Sequence, residues 1–187
     1  MTATLGGSVE LLERALGYTR ARLGRVHDDL LDRPTPCEGW TLGDLLAHME
    51  DALDAFTEAA GGEVVVRGGS RAAGRIAAIQ DKACALLGAW GRPAPGDVVI
   101  ATSAGGLDLM STLLVATAAL EVTVHGWDVG RATGECVAIP AELARELLPV
   151  AERVVGPADR GVRFAAPRPA AADAADDVRL LAHLGRT

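Results

Sequence analysis

Two of the four histidines in this chain lie within apolar stretches that have the periodicity of helices. His48 follows two leucines and an alanine, and His125 ends the run 118–125, in which Glu121 is the one acidic side chain. On a helix, side chains four residues apart share a face, with Cβ atoms about 5–6 Å apart, so Glu121 and His125 can bind one ion together. A buried carboxylate is costly unless it is paired or binds a cation. The three residues therefore predict a divalent-metal site, with one imidazole from an earlier helix and two ligands from a later one.

A site with three protein ligands leaves a coordination position for water or a substrate, which is typical of catalytic metal sites. Plainer interpretations stay open, because a Glu-x-x-x-His pair often occurs by chance and a histidine on an apolar face is commonly a core residue. In a purely structural module, Glu121 pairs with an arginine such as Arg75 and no cavity lies beside His125. His27 and His183 lie among charged or terminal residues and are predicted to be structural.

Two acidic residues are candidates to orient the metal-binding imidazoles. A histidine ligand usually donates its second ring nitrogen to a carboxylate, a backbone carbonyl or water. Asp44 precedes His48 by four residues, and Asp128 follows His125 by three. Helix capping or exposure to solvent is the alternative for both carboxylates, and the spacing leaves the two roles open.

Other chemically distinctive residues flank the same positions. Trp40 and Trp127 would either wall a metal pocket or fill the core. Arg131 would either meet an anionic substrate or place a positive charge near a helix C-terminus. Cys37 precedes the second helix, where amide dipoles favour a thiolate, so it is a candidate thiol-exchange nucleophile. A small buried residue that fixes the turn is the favoured alternative for Cys37.

The hydrophobic pattern predicts the helices that would position these residues. Apolar residues recur at three- and four-residue spacing in four long segments, and Thr41 with Asp44 resembles a capping box. The predicted helices span residues 8–31 with Ser8 as the cap, 41–60, 70–87, 107–132 ending at Gly134, 140–154 starting at Pro140, and a last turn at 178–184. Residues 97–100 are predicted to be a short strand or an extended connector, and Val64–Val66 is too short to assign.

These segments predict an all-α antiparallel four-helix bundle with a short extra helix and a C-terminal tail. The length of 187 residues fits a single domain over 1–187. Hydrophobic residues make up 49% of the chain and aromatic residues only 3%, so the core must consist mostly of Ala, Leu and Val.

Charge and cysteine content exclude several classes of protein. The net charge of −7 offers no electrostatic footprint for nucleic acid. The three cysteines form no Cys-x-x-Cys pair, which excludes a disulfide framework and a cysteine zinc knuckle. No leader-like segment opens the chain, and no run reaches the ~18 apolar residues that span a bilayer. We expect a cytoplasmic protein with a small-molecule substrate and with no nucleic-acid or membrane partner.

Three segments resemble one family in order and spacing. They read PTPCEGWTLGDLLAHM at 34–49, LEVTVHGWDVGRATG at 120–134 and LLAHLGR at 180–186. Together they resemble the DinB-like superfamily, in the actinobacterial branch related to the N-terminal domain of mycothiol-dependent maleylpyruvate isomerase. The resemblance spans most of the chain, and the two long motifs together are specific.

The resemblance implies a DinB-like bundle with one divalent metal, zinc first and nickel second, held by His48, Glu121 and His125. Active members use the metal to activate a low-molecular-weight thiol, typically mycothiol, and DinB-like relatives often form homodimers. The leading hypothesis is an enzyme that transfers a thiol to a small organic electrophile or uses it to assist an isomerisation. The alternatives are a metal-dependent hydrolase and a non-catalytic metal- or ligand-binding bundle that acts as a sensor or accessory protein.

Overall fold

The computed structural model describes residues 4–61, 74–91, 97–102, 105–161, 163–171 and 173–186. The α-helices of this part of the chain are α1 (Leu5–Leu23), α2 (Leu42–Ala59), α3 (Arg75–Trp90), α4 (Ser111–Thr133), α5 (Ala141–Val154) and α6 (Asp176–His183). Two antiparallel strands, β1 (Asp97–Thr102) and β2 (Gly105–Met110), form a hairpin between α3 and α4, in which Asp97 pairs with Met110.

The four long helices form the predicted antiparallel bundle, in which α1 packs along α4 and α2 packs against both α3 and α4. The extra helix α5 packs on α4, and α6 in the C-terminal tail packs on α5. Leucine, alanine and valine dominate the buried core, as the low aromatic content predicts. The all-α class is confirmed, with the short hairpin as an addition. None of the described helices is long and apolar enough to cross a membrane.

Local sequence signals correctly predict several helix ends. Thr41 caps α2, and its side chain and that of Asp44 form the predicted capping box. Gly134 ends α4 in the left-handed conformation at φ +88°, which glycine adopts without steric cost. Pro140 is the N-cap of α5, so this helix begins at Ala141, one residue after the predicted start.

The predicted bounds of the first helix are wrong at both ends. The helix begins at Leu5 with Thr4 as its cap, because the Thr4 side chain accepts a hydrogen bond from the Gly7 amide, and Ser8 is instead a buried helical residue. It ends at Leu23, because Gly24, a poor helix former, caps it there. The apolar residues after Gly24 continue the pattern in a loop and a short 3₁₀ turn.

The fourth helix starts at Ser111 rather than at Leu107. Residues 107–110 belong to β2 and pair with residues 97–100 of β1, so the strand alternative for 97–100 is confirmed. A short apolar run fits a strand or a helix equally well by pattern, and the partner strand decides. The third helix is described from Arg75 and continues to Trp90, beyond the predicted Leu87. Its predicted start at Ser70 and the Val64–Val66 run lie outside the described residues.

Gly126 allows α1 and α4 to approach closely beside His125. A Cβ atom on Gly126 would lie 2.9 Å from the Cβ and 3.1 Å from the Cα of Thr19, closer than such atoms pack. Thr19 is buried, and its hydroxyl donates to the Val122 carbonyl at 2.7 Å. The contact therefore fixes the turn of α4 that carries His125 against the backbone of α1.

We expect Gly126→Ala to lower the free energy of unfolding by about 1–3 kcal/mol, because the added methyl group forces the two helices apart. Gly17→Ala is the matched control, since a Cβ atom on this α1 glycine would meet no atom within 4 Å. The control should raise stability by about 0.5–1 kcal/mol through helix propensity. Urea unfolding measures both changes, and a Gly126→Ala protein as stable as wild type would contradict the close contact.

Candidate metal centre

His48, Glu121 and His125 meet where α2 packs against α4. The Nε2 atom of His48 lies 2.7 Å from Oε1 of Glu121, and Nε2 of His125 lies 3.0 Å from the same oxygen. The two imidazole rings lie edge to face, with their centroids 5.0 Å apart. The structure therefore brings together the three residues that the sequence singles out, two of them from one face of α4.

The geometry of these side chains fits a divalent cation. One ligand atom from each of His48, Glu121 and His125 lies within 4.8 Å of the other two. Bonds of 2.0–2.2 Å to a tetrahedral metal place its donor atoms about 3.3–3.6 Å apart, so the three side chains need only small movements. Two imidazoles and one carboxylate are a donor set that suits zinc and also nickel.

Charge complementarity holds the cluster together. Burial favours the neutral form of Glu121, but the charge of His125 and hydrogen bonds with both histidines outweigh it, and the pKa of Glu121 lies well below its ordinary value. Burial also disfavours charge on His125, but the Glu121 carboxylate and the Asp128 hydrogen bond raise its pKa well above the ordinary value. Histidine binds metal in its neutral form. A divalent cation bound here would therefore displace the proton that charges His125 beside Glu121.

Asp128 orients His125 from the side opposite Glu121. Its Oδ2 atom lies 3.0 Å from Nδ1 of His125, which leaves Nε2 directed at Glu121. Asp128 is fully buried, and the Arg186 guanidinium donates to both of its oxygens at 2.8 Å. Burial alone would raise the pKa of Asp128, but the hydrogen bonds from His125 and Arg186 lower it. This is the orienting role that the spacing offered as one of two alternatives.

Cys37 joins the same polar cluster from the turn before α2. Its sulfur lies 3.4 Å from Oδ2 of Asp128, 3.4 Å from Nη2 of Arg186 and 4.0 Å from Nδ1 of His125. Cys37, His125 and Asp128 thus form a second group of potential metal ligands. The guanidinium already bound to Asp128 disfavours a cation there, because the two positive charges would lie side by side. The thiol-exchange role of Cys37 stays a prediction.

Two sequence-based alternatives are wrong. Asp44 is exposed, and its carboxylate accepts from the backbone amide and hydroxyl of Thr41, so it caps α2 and does not orient His48. The pairing of Glu121 with Arg75 is replaced by its contacts with the two histidines. Arg75 instead donates to the Gly43 carbonyl at 2.9 Å, and its Nε atom lies 3.7 Å from Oε2 of Glu50.

The remaining candidates divide between the site and the core. Trp40 is 37% exposed, and its ring lies edge to face with His48 at a centroid distance of 5.0 Å, which suits a wall of the metal site. Trp127 is buried in the core. The Arg131 guanidinium stacks 5.6 Å from the Trp127 ring centroid and donates to the Cys136 sulfur, in the last turn of α4. Its predicted contact with an anionic substrate stays a prediction.

A cavity of about 410 Å³ lies against the cluster, within the size range of ligand pockets. Glu121 and His125 line it, together with residues from all four bundle helices. Its presence beside His125 is the feature that separates a ligand-binding or catalytic site from a purely structural histidine pair.

Sequence reasoning missed two features of this site. Arg186 lies 58 residues from Asp128, and its role depends on where the C-terminal tail packs. The only signal for it is that LLAHLGR ends in an arginine after an apolar helix. The cavity depends on the spacing of whole helices, for which no single residue is a signal.

This chain matches a family model and is similar in sequence to known proteins. A family model described as the mycothiol maleylpyruvate isomerase N-terminal domain matches residues 12–130. Uncharacterised proteins from two strains of Mycobacterium tuberculosis are 29% identical over 177 residues, which cover 94% of this chain and 95% of each relative.

Solved structures show the same fold. The crystal structure of a mycothiol-dependent maleylpyruvate isomerase is 19% identical, with a TM-score of 0.55, and the match covers 81% of this chain and 70% of that one. The structure of a histidine-to-alanine mutant of this isomerase matches over the same shares at 19% identity, with a TM-score of 0.57.

We expect Arg186→Ala to lower the free energy of unfolding by about 3–5 kcal/mol, because it leaves the Asp128 carboxylate buried without its partner. The matched control is Arg14→Ala, which removes an exposed ion pair with Glu146 in which the side chains are 42% and 50% exposed. Such surface pairs contribute about 0–1 kcal/mol. Urea unfolding compares the two variants, and equal losses would contradict the account of the buried pair.

Proposed function

The chain belongs to the mycothiol maleylpyruvate isomerase N-terminal domain family, and on this premise we propose that it is a metal-dependent enzyme that uses a low-molecular-weight thiol on a small organic electrophile. The observation that carries the proposal is the convergence of His48, Glu121 and His125, of which Glu121 and His125 line a ligand-sized cavity. Mycothiol is the thiol that the family description names, and zinc is the first choice of metal, with nickel second.

The chain's own residues divide the work of such a site. His48, Glu121 and His125 would hold the cation, and Asp128 keeps His125 in the orientation that presents Nε2 to it. Arg186 neutralises the buried Asp128 and so maintains that orientation. A bound divalent cation stabilises a thiolate relative to the thiol and so supplies a nucleophile at neutral pH.

Thiol transfer and thiol-assisted isomerisation share one step, in which the sulfur lone pair forms a carbon–sulfur bond to the electrophile. In transfer, the bond to a leaving group such as chloride then breaks, and the thiol proton passes to solvent. In isomerisation, the thiolate adds to an activated double bond and the π electrons move onto the activating group. The new single bond then rotates, and return of those electrons expels the thiolate and restores the double bond. The same arrangement of residues serves both reactions.

The cavity favours an enzyme over an accessory metal-binding bundle. A structural metal site is closed by protein ligands, whereas a catalytic one keeps a position open to a ligand. Three protein ligands would leave such a position here, and two of them, Glu121 and His125, also line the cavity.

Metal analysis after dialysis against zinc tests the proposed ligands. We expect one equivalent of zinc in the wild-type protein. His48→Ala and Glu121→Gln should bind zinc at least about 100-fold more weakly, a larger loss of affinity than is typical for residues that only orient a ligand. Asp128→Asn should weaken zinc binding by about 10–100-fold, because it loosens a ligand without removing it.

His27→Ala is the control for metal binding, since His27 is an exposed residue away from the cluster and should leave the affinity unchanged. Stoichiometric zinc that persists in both His48→Ala and Glu121→Gln would contradict the proposed site.

Thiol chemistry is tested with mycothiol and chlorodinitrobenzene, whose conjugation releases chloride and is followed by absorbance. The zinc-loaded wild type should conjugate the thiol at least about tenfold faster than Glu121→Gln, because the variant loses the ligand that holds the cation. His27→Ala should match the wild type. A wild-type rate equal to that of metal-free protein would count against the enzyme, whatever the metal content.

A further inference from the structure

The cavity beside the cluster of His48, Glu121 and His125 lies between all four bundle helices, and its walls are predominantly apolar. The aliphatic, aromatic and thioether side chains that line it come from α1, α2, α3 and α4. They are Leu16, Leu23, Met49, Ala52, Leu53, Phe56, Ile79, Ala83, Leu87 and Val122.

Few polar groups face this space away from the cluster. Thr19 is buried, but its hydroxyl is already bonded to the Val122 carbonyl at 2.7 Å. Among the described lining residues, the charged side chains outside the cluster are Glu13, Arg20 and Asp81, and all three are exposed. Two acids and one base at exposed positions give no excess of positive charge that would attract an anion.

A charged ligand would meet a large penalty in such a cavity. Transfer of an ionised carboxylate from water into apolar surroundings is strongly unfavourable unless a cation or several hydrogen bonds replace its hydration. Outside the cluster, Arg20 is the one cation among the described lining residues, and the acidic Glu13 and Asp81 line the same cavity. An uncharged apolar group instead gains by leaving water.

We propose that this cavity binds the uncharged, apolar body of the electrophile, with its reacting end toward Glu121 and His125. The inference deepens the proposed function, on which it rests, by assigning a substrate class: neutral aromatic or aliphatic electrophiles rather than small dicarboxylates. The walls supply affinity through burial, and Glu121 and His125 offer a reacting polar group partners at one end of the cavity, in addition to the half-buried amide of Gln80.

The test uses the full chain and the neutral fluorescent probe N-phenyl-1-naphthylamine, whose emission rises in apolar surroundings. We expect saturable binding at one site per chain, both with zinc and without it. Gly17→Phe adds a ring at the cavity wall, and its Cβ atom would meet no atom within 4 Å. It should weaken probe binding by at least about tenfold, because the ring takes space that the probe needs.

Gly88→Phe is the matched control. Gly88 is an exposed helical glycine of α3 with equally open surroundings, and it does not line the cavity. Its probe affinity should stay within about twofold of wild type. Ala52→Phe is a second blocking variant on α2, in case Gly17→Phe does not fold as judged by circular dichroism.

Charge selectivity is tested by displacing the probe with dimethyl phthalate or with phthalate, which differ in charge but share one ring. The neutral diester should displace the probe, and the dianion should require at least about a tenfold higher concentration. No saturable probe binding, unchanged binding in both blocking variants, or displacement by phthalate at or below the diester concentration would each overturn the inference. Because neither turnover nor thiol enters this test, it succeeds or fails separately from the metal and conjugation experiments.

Discussion

The carboxylate of Glu121 sets the main constraint on this structure. It lies on an otherwise apolar turn of α4, where an unpaired negative charge would oppose folding. Two imidazoles reach one of its oxygens, at 2.7 Å from His48 and 3.0 Å from His125. Helices α2 and α4 must therefore pack in a register that brings His48 to Glu121. The same arrangement that satisfies the carboxylate assembles three donor atoms suited to a divalent cation.

Other parts of the fold maintain this register from outside the cluster. The capping box at Thr41 fixes where α2 begins, and thereby which turn of the helix carries His48. The close approach of Gly126 to Thr19 holds the His125 turn against α1. The C-terminal tail contributes Arg186, whose guanidinium keeps Asp128 charged and aligned behind His125. The site thus depends on contacts between segments that lie far apart in the sequence.

The distance along the chain between interacting residues decides which features the sequence predicts. The Glu121–His125 pair and the Thr41–Asp44 box depend on residues three or four apart, so helical geometry alone predicts them. The start of α4 depends on whether residues 107–110 find a partner strand, which an apolar pattern leaves ambiguous. The contact of Cys37 with His125 spans 88 residues, and neither it nor the Arg186–Asp128 pair leaves a periodic signal. The apolar helical stretch around His48 suggests it as the third ligand and family resemblance implies the same three residues, but only the folded chain shows the cavity beside them.

The central claim, that His48, Glu121 and His125 bind a divalent cation, is tested most directly by X-ray absorption spectroscopy at the zinc edge of the zinc-loaded protein. The account predicts nitrogen and oxygen neighbours at about 2.0–2.2 Å, with the multiple-scattering signature of two imidazoles and no sulfur neighbour. A sulfur neighbour at about 2.3 Å would contradict it, because it would place the metal at a cysteine such as Cys37 and outside the proposed ligand set.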